Sequence, residues 1–83
     1  MKHALEQVIG SRVAACAKLA GCTPQNIRRV LAGKNFSVRL PLTFAKNAKC
    51  GAAEALLVFA DRTLENDNIQ HVLQCFEKKV GAE

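Results

Sequence analysis

Within AGCTPQNIRRVLAGK, residues 20–34, two amides (Gln25, Asn26), two guanidiniums (Arg28, Arg29) and an ammonium (Lys34) crowd one stretch of an 83-residue chain. None of these groups is a nucleophile or a proton shuttle at neutral pH. Their chemistry is multiple hydrogen bonding to planar or anionic partners. The stretch is therefore either a reading element for a polyanion or a basic turn between two helices with a solvated cationic face.

Charge distribution bears on that choice. Residues 1–50 hold nine Lys or Arg against the single acid Glu6, a net +8. Residues 51–83 hold three against six acids, a net −3, so the whole-chain +5 belongs to the first part alone. A basic half of this kind points to DNA, RNA or an anionic surface.

The other chemistry-bearing residues suggest less. Cys16, Cys22, Cys50 and Cys75 are too irregularly spaced for a metal clip, and with His3 and His71 they advertise no converging ligand set. They are expected to be reduced thiols serving mostly as small core residues. Cys50 or Cys75 becomes a redox-sensing thiol if it is exposed beside Lys49 or Lys78, whose charge would stabilise a thiolate. No nucleophile motif, glycine-rich phosphate loop or perturbed carboxylate pair is present, and His71, at helical spacing from Asp67 and Cys75, reads as a surface residue. The expectation is a non-enzyme without metal or cofactor.

The elements that must position these residues read as helices. With 49% apolar and 23% charged residues the chain has the composition of one globular domain. A domain this small buries only about 60% of its unfolded surface, so a partner subunit would help it. Its longest apolar run, 55–60, is far below the ~20 residues needed to span a bilayer, and the expected location is the cytoplasm.

Leu5, Val8 and Ile9 form a first helical face closed by Gly10, and Ser11 is placed to cap the next helix. RVAACAKLA is made of helix formers and meets Gly21, a left-handed cap. Thr23-Pro24 is a strong helix start, followed by Ile27, Val30 and Leu31 on one side and Gly33 at the end. Phe36, Val38 and Leu40 alternate like a short strand, but Pro41 demotes 36–40 to an edge or a connection. Helical composition resumes over 41–49 and stops at Cys50-Gly51. The segment 52–60 is apolar on nearly every side, as in a buried or interface helix. The last helix starts near Asn66 or Asp67, with Asp67 and Gln70 in capping-box spacing, and carries Ile69, Val72, Leu73, Phe76 and Val80 on one stripe.

A faint echo joins AKLAGCTPQNIRRV to AKNAKCGAAEALLV at an offset of 28 residues, pairing Ala17 with Ala45, Lys18 with Lys46, Ala20 with Ala48, Cys22 with Cys50 and Val30 with Val58. In a chain rich in alanine and lysine, chance is the expected source of such an echo. If the second copy is folded like the first, its second helix is built to be buried.

Residues 12–34 thus read as helix, glycine turn, helix. The stretch VAACAKLAGCTPQNIRRVL resembles the helix-turn-helix units of bacterial and phage transcription regulators, including the lactose-repressor family and small Cro-like or repressor-like phage proteins. Those units want a small residue at the position of Ala17, a turn glycine at Gly21, and apolar residues where this chain has Cys16, Ala20, Cys22, Ile27 and Val30. The resemblance implies that helix 24–32 lies in the major groove of double-stranded DNA. It implies that Thr23 holds a phosphate, that Gln25 and Arg29 read bases, and that Asn26 and Arg28 serve bases or backbone, with Lys34 adding charge. Gln suits adenine and Arg guanine because each makes two bonds to its base. Pro24 departs from the pattern by removing a polar contact. Roughly a quarter of the chain carries the resemblance; HALEQVIGS and RLPLTFAKNAKCG fit the flanking helices only loosely.

These readings together predict an all-α domain of five or six short helices, with a basic part at 1–50 and an acidic dimerisation or partner-binding part at 51–83. The expected function is a homodimeric, sequence-specific DNA-binding regulator, a repressor of a phage or mobile element. Its interface is expected at Leu56, Leu57, Phe59, Ile69, Val72, Leu73 and Phe76. The competing expectation is a small helical adaptor, an antirepressor or chaperone, that binds a protein through helix 52–60 and the C-terminal amphipathic helix.

Overall fold

A computed structural model describes residues 2–34, 36–62 and 66–81. They form six helices: α1 (Ala4–Ile9), α2 (Val13–Ala20), α3 (Pro24–Leu31), α4 (Arg39–Ala48), α5 (Ala52–Phe59) and α6 (Asn66–Gly81). No strand forms among the described residues.

The centre is α4, which packs on α2, α5 and α6, while α1 lies against α6 and α5. Three phenylalanines fill the middle. The Phe44 ring meets Phe59 edge-on at 5.3 Å and stacks with Phe76 at 6.1 Å. Around them Leu5, Val8, Ile9, Val58 and Val72 are fully buried. Each such side chain contributes about 1.5–3 kcal/mol by leaving water. The net-charge boundary near residue 50 is no packing boundary, because α4 and α5 lie on either side of it in one core.

Local chemistry explains the helix ends. The His3 ring accepts a hydrogen bond from the Leu5 amide at 3.0 Å, and Asp61 Oδ1 accepts one from the Ala4 amide at 2.9 Å. Two of α1's four orphan donors are thereby satisfied. Ser11 does not cap α2. The N-cap is Arg12, held at that corner because its Nε donates to the Ile9 carbonyl at 3.1 Å, its guanidinium lies 4.8 Å from the Phe76 ring centre, and it pairs with Glu77.

The alternating segment 36–40 finds no neighbouring strand, and α4 begins at Arg39, two residues before the proline. Pro41 sits in the first turn, where its missing N–H has no intrahelical partner to lose. The stop lies one residue earlier than Cys50-Gly51 suggests, at Lys49, which adopts the left-handed conformation at φ 59°. Helix α6 begins at Asn66, so Asp67 lies inside its first turn, and the position before it falls outside the described residues.

The echo at 28 residues extends to the backbone. Gly21 (φ 71°) corresponds to left-handed Lys49 (φ 59°), and Gly33 (φ 80°) to left-handed Asp61 (φ 57°). The N-caps Thr23 and Gly51 are both extended, and the C-caps Ala32 and Ala60 match within a few degrees. Hydrogen bonds repeat as well: Cys22 to Ala17 and Cys50 to Ala45, Gly33 to Val30 and Asp61 to Val58, Lys34 to Arg29 and Arg62 to Leu57. Each of the four helices α2 to α5 ends with the i to i−5 bond of a Schellman cap, and α2, α3 and α5 add its i to i−3 partner, whereas the Lys49 amide bonds Ala45. Three helix ends match in this way: the C-terminal ends of α2 and α4, and both ends of α3 and α5.

Candidate nucleic-acid interface

The turn between α2 and α3 is built by three residues. Gly21 takes the left-handed conformation, and a Cβ there would meet Thr43 of α4 at 3.4 Å. Thr23 Oγ1 accepts the Asn26 amide at 3.2 Å, and Pro24 fills the first helical position. Asn47 Nδ2 donates to the Leu19 carbonyl at 2.6 Å and ties the end of α2 to α4.

Helix α3 packs chiefly on α2 through Ile27 and Val30, both buried. Its opposite face is open: Gln25, Arg28 and Arg29 are exposed, Asn26 is half-buried, and Thr23 and Lys34 are exposed at the two ends. Positions 25, 28, 29 and 32 fall on one side of a 3.6-residue helix, so the amide and both guanidiniums share one outward surface. Among the described residues no carboxylate pairs with Arg28, Arg29 or Lys34. The face is therefore one of undischarged positive charge and forked donors.

Of the packing set, Cys16, Ala17, Ala20, Ile27 and Val30 are buried, Cys22 is half-buried, and Gly21 lies exposed at the turn. Burial pushes the Cys16 thiol up to about 12, so it remains a neutral core group. Cys22 is raised too, again by burial, while the nearby Arg39 charge opposes the rise.

That last interaction exposes a residue the sequence reading missed. Arg39 belongs to the first turn of α4 and lies close enough to the α2–α3 turn to act on Cys22, with its side chain exposed. The misleading signal was the strand-like alternation of 36–40, which hid the start of a helix. Conversely Arg12, counted in the basic half, is neutralised locally by Glu77, whose carboxyl is held below its ordinary range by the Arg12 hydrogen bond.

The expected interface does not survive as drawn. Phe59, Ile69, Val72 and Phe76 are at most 8% exposed and form the core of a single chain. The stripe on α6 faces α1, α4 and α5, leaving those four residues no surface to offer. Only Leu57, 36% exposed, and the half-buried Leu56 and Leu73 reach solvent. Phe36 and Val38, 45% and 51% exposed, join Leu56 and Leu57 in a cleft of about 660 Å³ bordered by Gly33 and Lys34 at the end of α3. Of the thiols, Cys16 is in the core, Cys22 and Cys50 are half-buried and pack against it, and Cys75 is half-exposed.

No known protein-family model matches the sequence, and it matches no curated protein and no solved structure. Among the described residues no helix is long and apolar enough to cross a membrane.

Proposed function

We propose that this chain is a non-enzymatic, sequence-specific regulator that binds double-stranded DNA in the cytoplasm and reads the major groove with α3. The observation that carries the reading is the outer face of α3. Gln25, Arg28 and Arg29 stand together on it in solvent while Ile27 and Val30 anchor its back. Thr23 and Asn26 at the entry, and Lys34 and Arg39 beside it, extend the surface towards phosphates. The resemblance of the unit to phage and bacterial regulators supports a repressor of a phage or mobile element.

A single module of this size makes few base contacts, and a homodimer doubles them by setting two reading helices about 34 Å apart. The cleft lined by Phe36, Val38 and Leu57 supports that arrangement, because it is apolar, open and continuous with the end of α3. Leu57→Asp or Val38→Asp is expected to shift the mass seen by light scattering to the monomer and weaken DNA binding with it. The same cleft favours one competing reading, an adaptor that binds a different protein. In that case pull-down returns a stoichiometric partner, and substitutions on α3 have no effect.

Selection from a randomised duplex pool tests the proposal. Enrichment of one sequence with two half-sites supports it, with Arg29→Ala and Gln25→Ala eroding discrimination and Arg28→Ala weakening all duplexes alike. A pool without enrichment or salt dependence overturns it.

A further inference from the structure

The α4–α5 turn places Cys50 between the left-handed cap Lys49 and the N-cap Gly51, and α6 brings Cys75 across it. The Cys75 thiol donates to the Lys49 carbonyl at 3.9 Å, which sets it against the backbone next to Cys50, close enough to act on the Cys50 thiol. One helical turn before Cys75, His71 Nε2 lies 3.9 Å from Cys75 Sγ and 3.7 Å from Glu54 Oε2. Both thiols are half-exposed, and Cys75 opens into a cleft of about 280 Å³ walled by Ala48, Lys49, Lys78 and Lys79. Among the described residues no three His, Cys, Asp or Glu side chains converge as metal ligands.

Two adjacent thiols, an imidazole against one of them and three ammoniums around an open cleft are the parts of a peroxide-reactive pair. We propose that Cys75 and Cys50 form a thiol–disulfide switch oxidised by a hydroperoxide, with Cys75 as the attacking sulfur and Cys50 as the resolving one. His71 takes the Cys75 proton, and the thiolate attacks one oxygen of hydrogen peroxide. The O–O bond breaks, the departing hydroxide collects the proton from His71 and leaves as water, and Cys75 becomes a sulfenic acid. The Cys50 sulfur then attacks the Cys75 sulfur. The S–O bond breaks, hydroxide leaves with the Cys50 proton as a second water, and the disulfide remains. Two thiols and one peroxide thus give one disulfide and two waters, and a dithiol reductant reverses the change.

The roles follow from position. Cys75 has the base and the open cleft, whereas burial and the neighbouring Cys75 push the Cys50 thiol up to about 11 and keep it from competing for the oxidant. Cys16 lies in the core and is shielded from the oxidant. Lys49, Lys78 and Lys79 wall the cleft beside Cys75, and Glu54 lies against His71. The site shares no residue with α3.

Peptide mass mapping after brief exposure of the native protein to hydrogen peroxide tests the switch. The expected product is an intramolecular Cys50–Cys75 link that dithiothreitol removes, with Cys16 and Cys22 still alkylatable. Cys50→Ser should stop at a Cys75 sulfenic acid that a cyclic diketone traps, and His71→Gln should slow disulfide formation by roughly tenfold. The proposal is overturned if all four thiols remain alkylatable, if another pair forms the link, or if Cys75→Ser leaves the oxidation rate unchanged.

Discussion

The α2–α3 and α4–α5 units share the backbone of their turns and carry opposite outer surfaces. Where α3 presents Gln25, Arg28 and Arg29, α5 presents Ala53, Leu56 and Leu57 at the corresponding positions. Where the first turn uses Gly21 and Gly33 for its left-handed residues, the second uses Lys49 and Asp61. Their packing differs in the same sense. Leu31 of α3 is half-buried, whereas its counterpart Phe59 is 1% exposed and touches Phe44. The difference teaches that a helix-turn-helix shape has no function of its own. One copy serves as scaffold, which leaves the other free to keep a polar, charged helix at the edge of the fold.

The asymmetry in packing yields the largest expected effect. Phe59→Ala should destabilise the protein by about 3–5 kcal/mol in urea unfolding, while Leu31→Ala at the equivalent site costs less than about 2 kcal/mol. Equal losses would mean that the two copies share the core evenly.

Next in size is a surface conversion. The double substitution Arg28→Leu and Arg29→Leu gives α3 the face of α5, and duplex affinity should fall about 100-fold with a salt slope reduced by ~2. Unfolding free energy should move by less than about 0.5 kcal/mol, since both side chains stand in solvent. A large loss of stability would show that the arginines are structural.

Smaller again is a pH effect at Cys16, which stands where α4 has Phe44. Its folded pKa is raised from an ordinary 9.0 to about 12, so the unfolded chain loses this proton first. The stabilisation is complete below about pH 9 and is lost as pH rises towards 12, at up to about 1.4 kcal/mol per pH unit. Cys50, pushed up to about 11, adds a similar slope over a narrower range. Stability curves for Cys16→Ala should therefore be flatter in alkali without becoming flat.

The smallest effect concerns the turns themselves. Lys49→Gly restores the residue of the first copy at a left-handed position and should stabilise by about 0.5–1 kcal/mol in thermal unfolding. Asp61→Gly should gain less or lose, because the Asp61 carboxylate also accepts the Ala4 amide.

Much of the first unit was legible in its residues. Gly21, Thr23 and Pro24 each admit few backbone roles, and Ile27 and Val30 against Gln25, Arg28 and Arg29 specify which face of α3 turns inward. The second unit was obscured because Lys49 and Asp61 hold left-handed conformations that their residue types do not signal. The stripe Ile69, Val72 and Phe76 was read correctly as one face. Periodicity does not say what covers a face, and here α1, α4 and α5 cover it where a partner subunit was expected. Arg39 was hidden by the alternation of Phe36, Val38 and Leu40, which resembles a strand until Pro41 is understood as a first-turn residue. The contact between Cys50 and Cys75 depends on how α6 crosses the α4–α5 turn, a long-range packing outcome with no local signature.

The central claim is that α3 reads double-stranded DNA. Fluorescence-anisotropy titration of the wild-type protein, with the duplex enriched from a random pool and with a scrambled duplex, across a series of salt concentrations, tests it most directly. The account predicts tighter binding to the enriched duplex by at least about 10³-fold and a linear fall of log affinity with log salt, steep enough for several phosphate contacts. Equal affinity for both duplexes, or binding indifferent to salt, would contradict it.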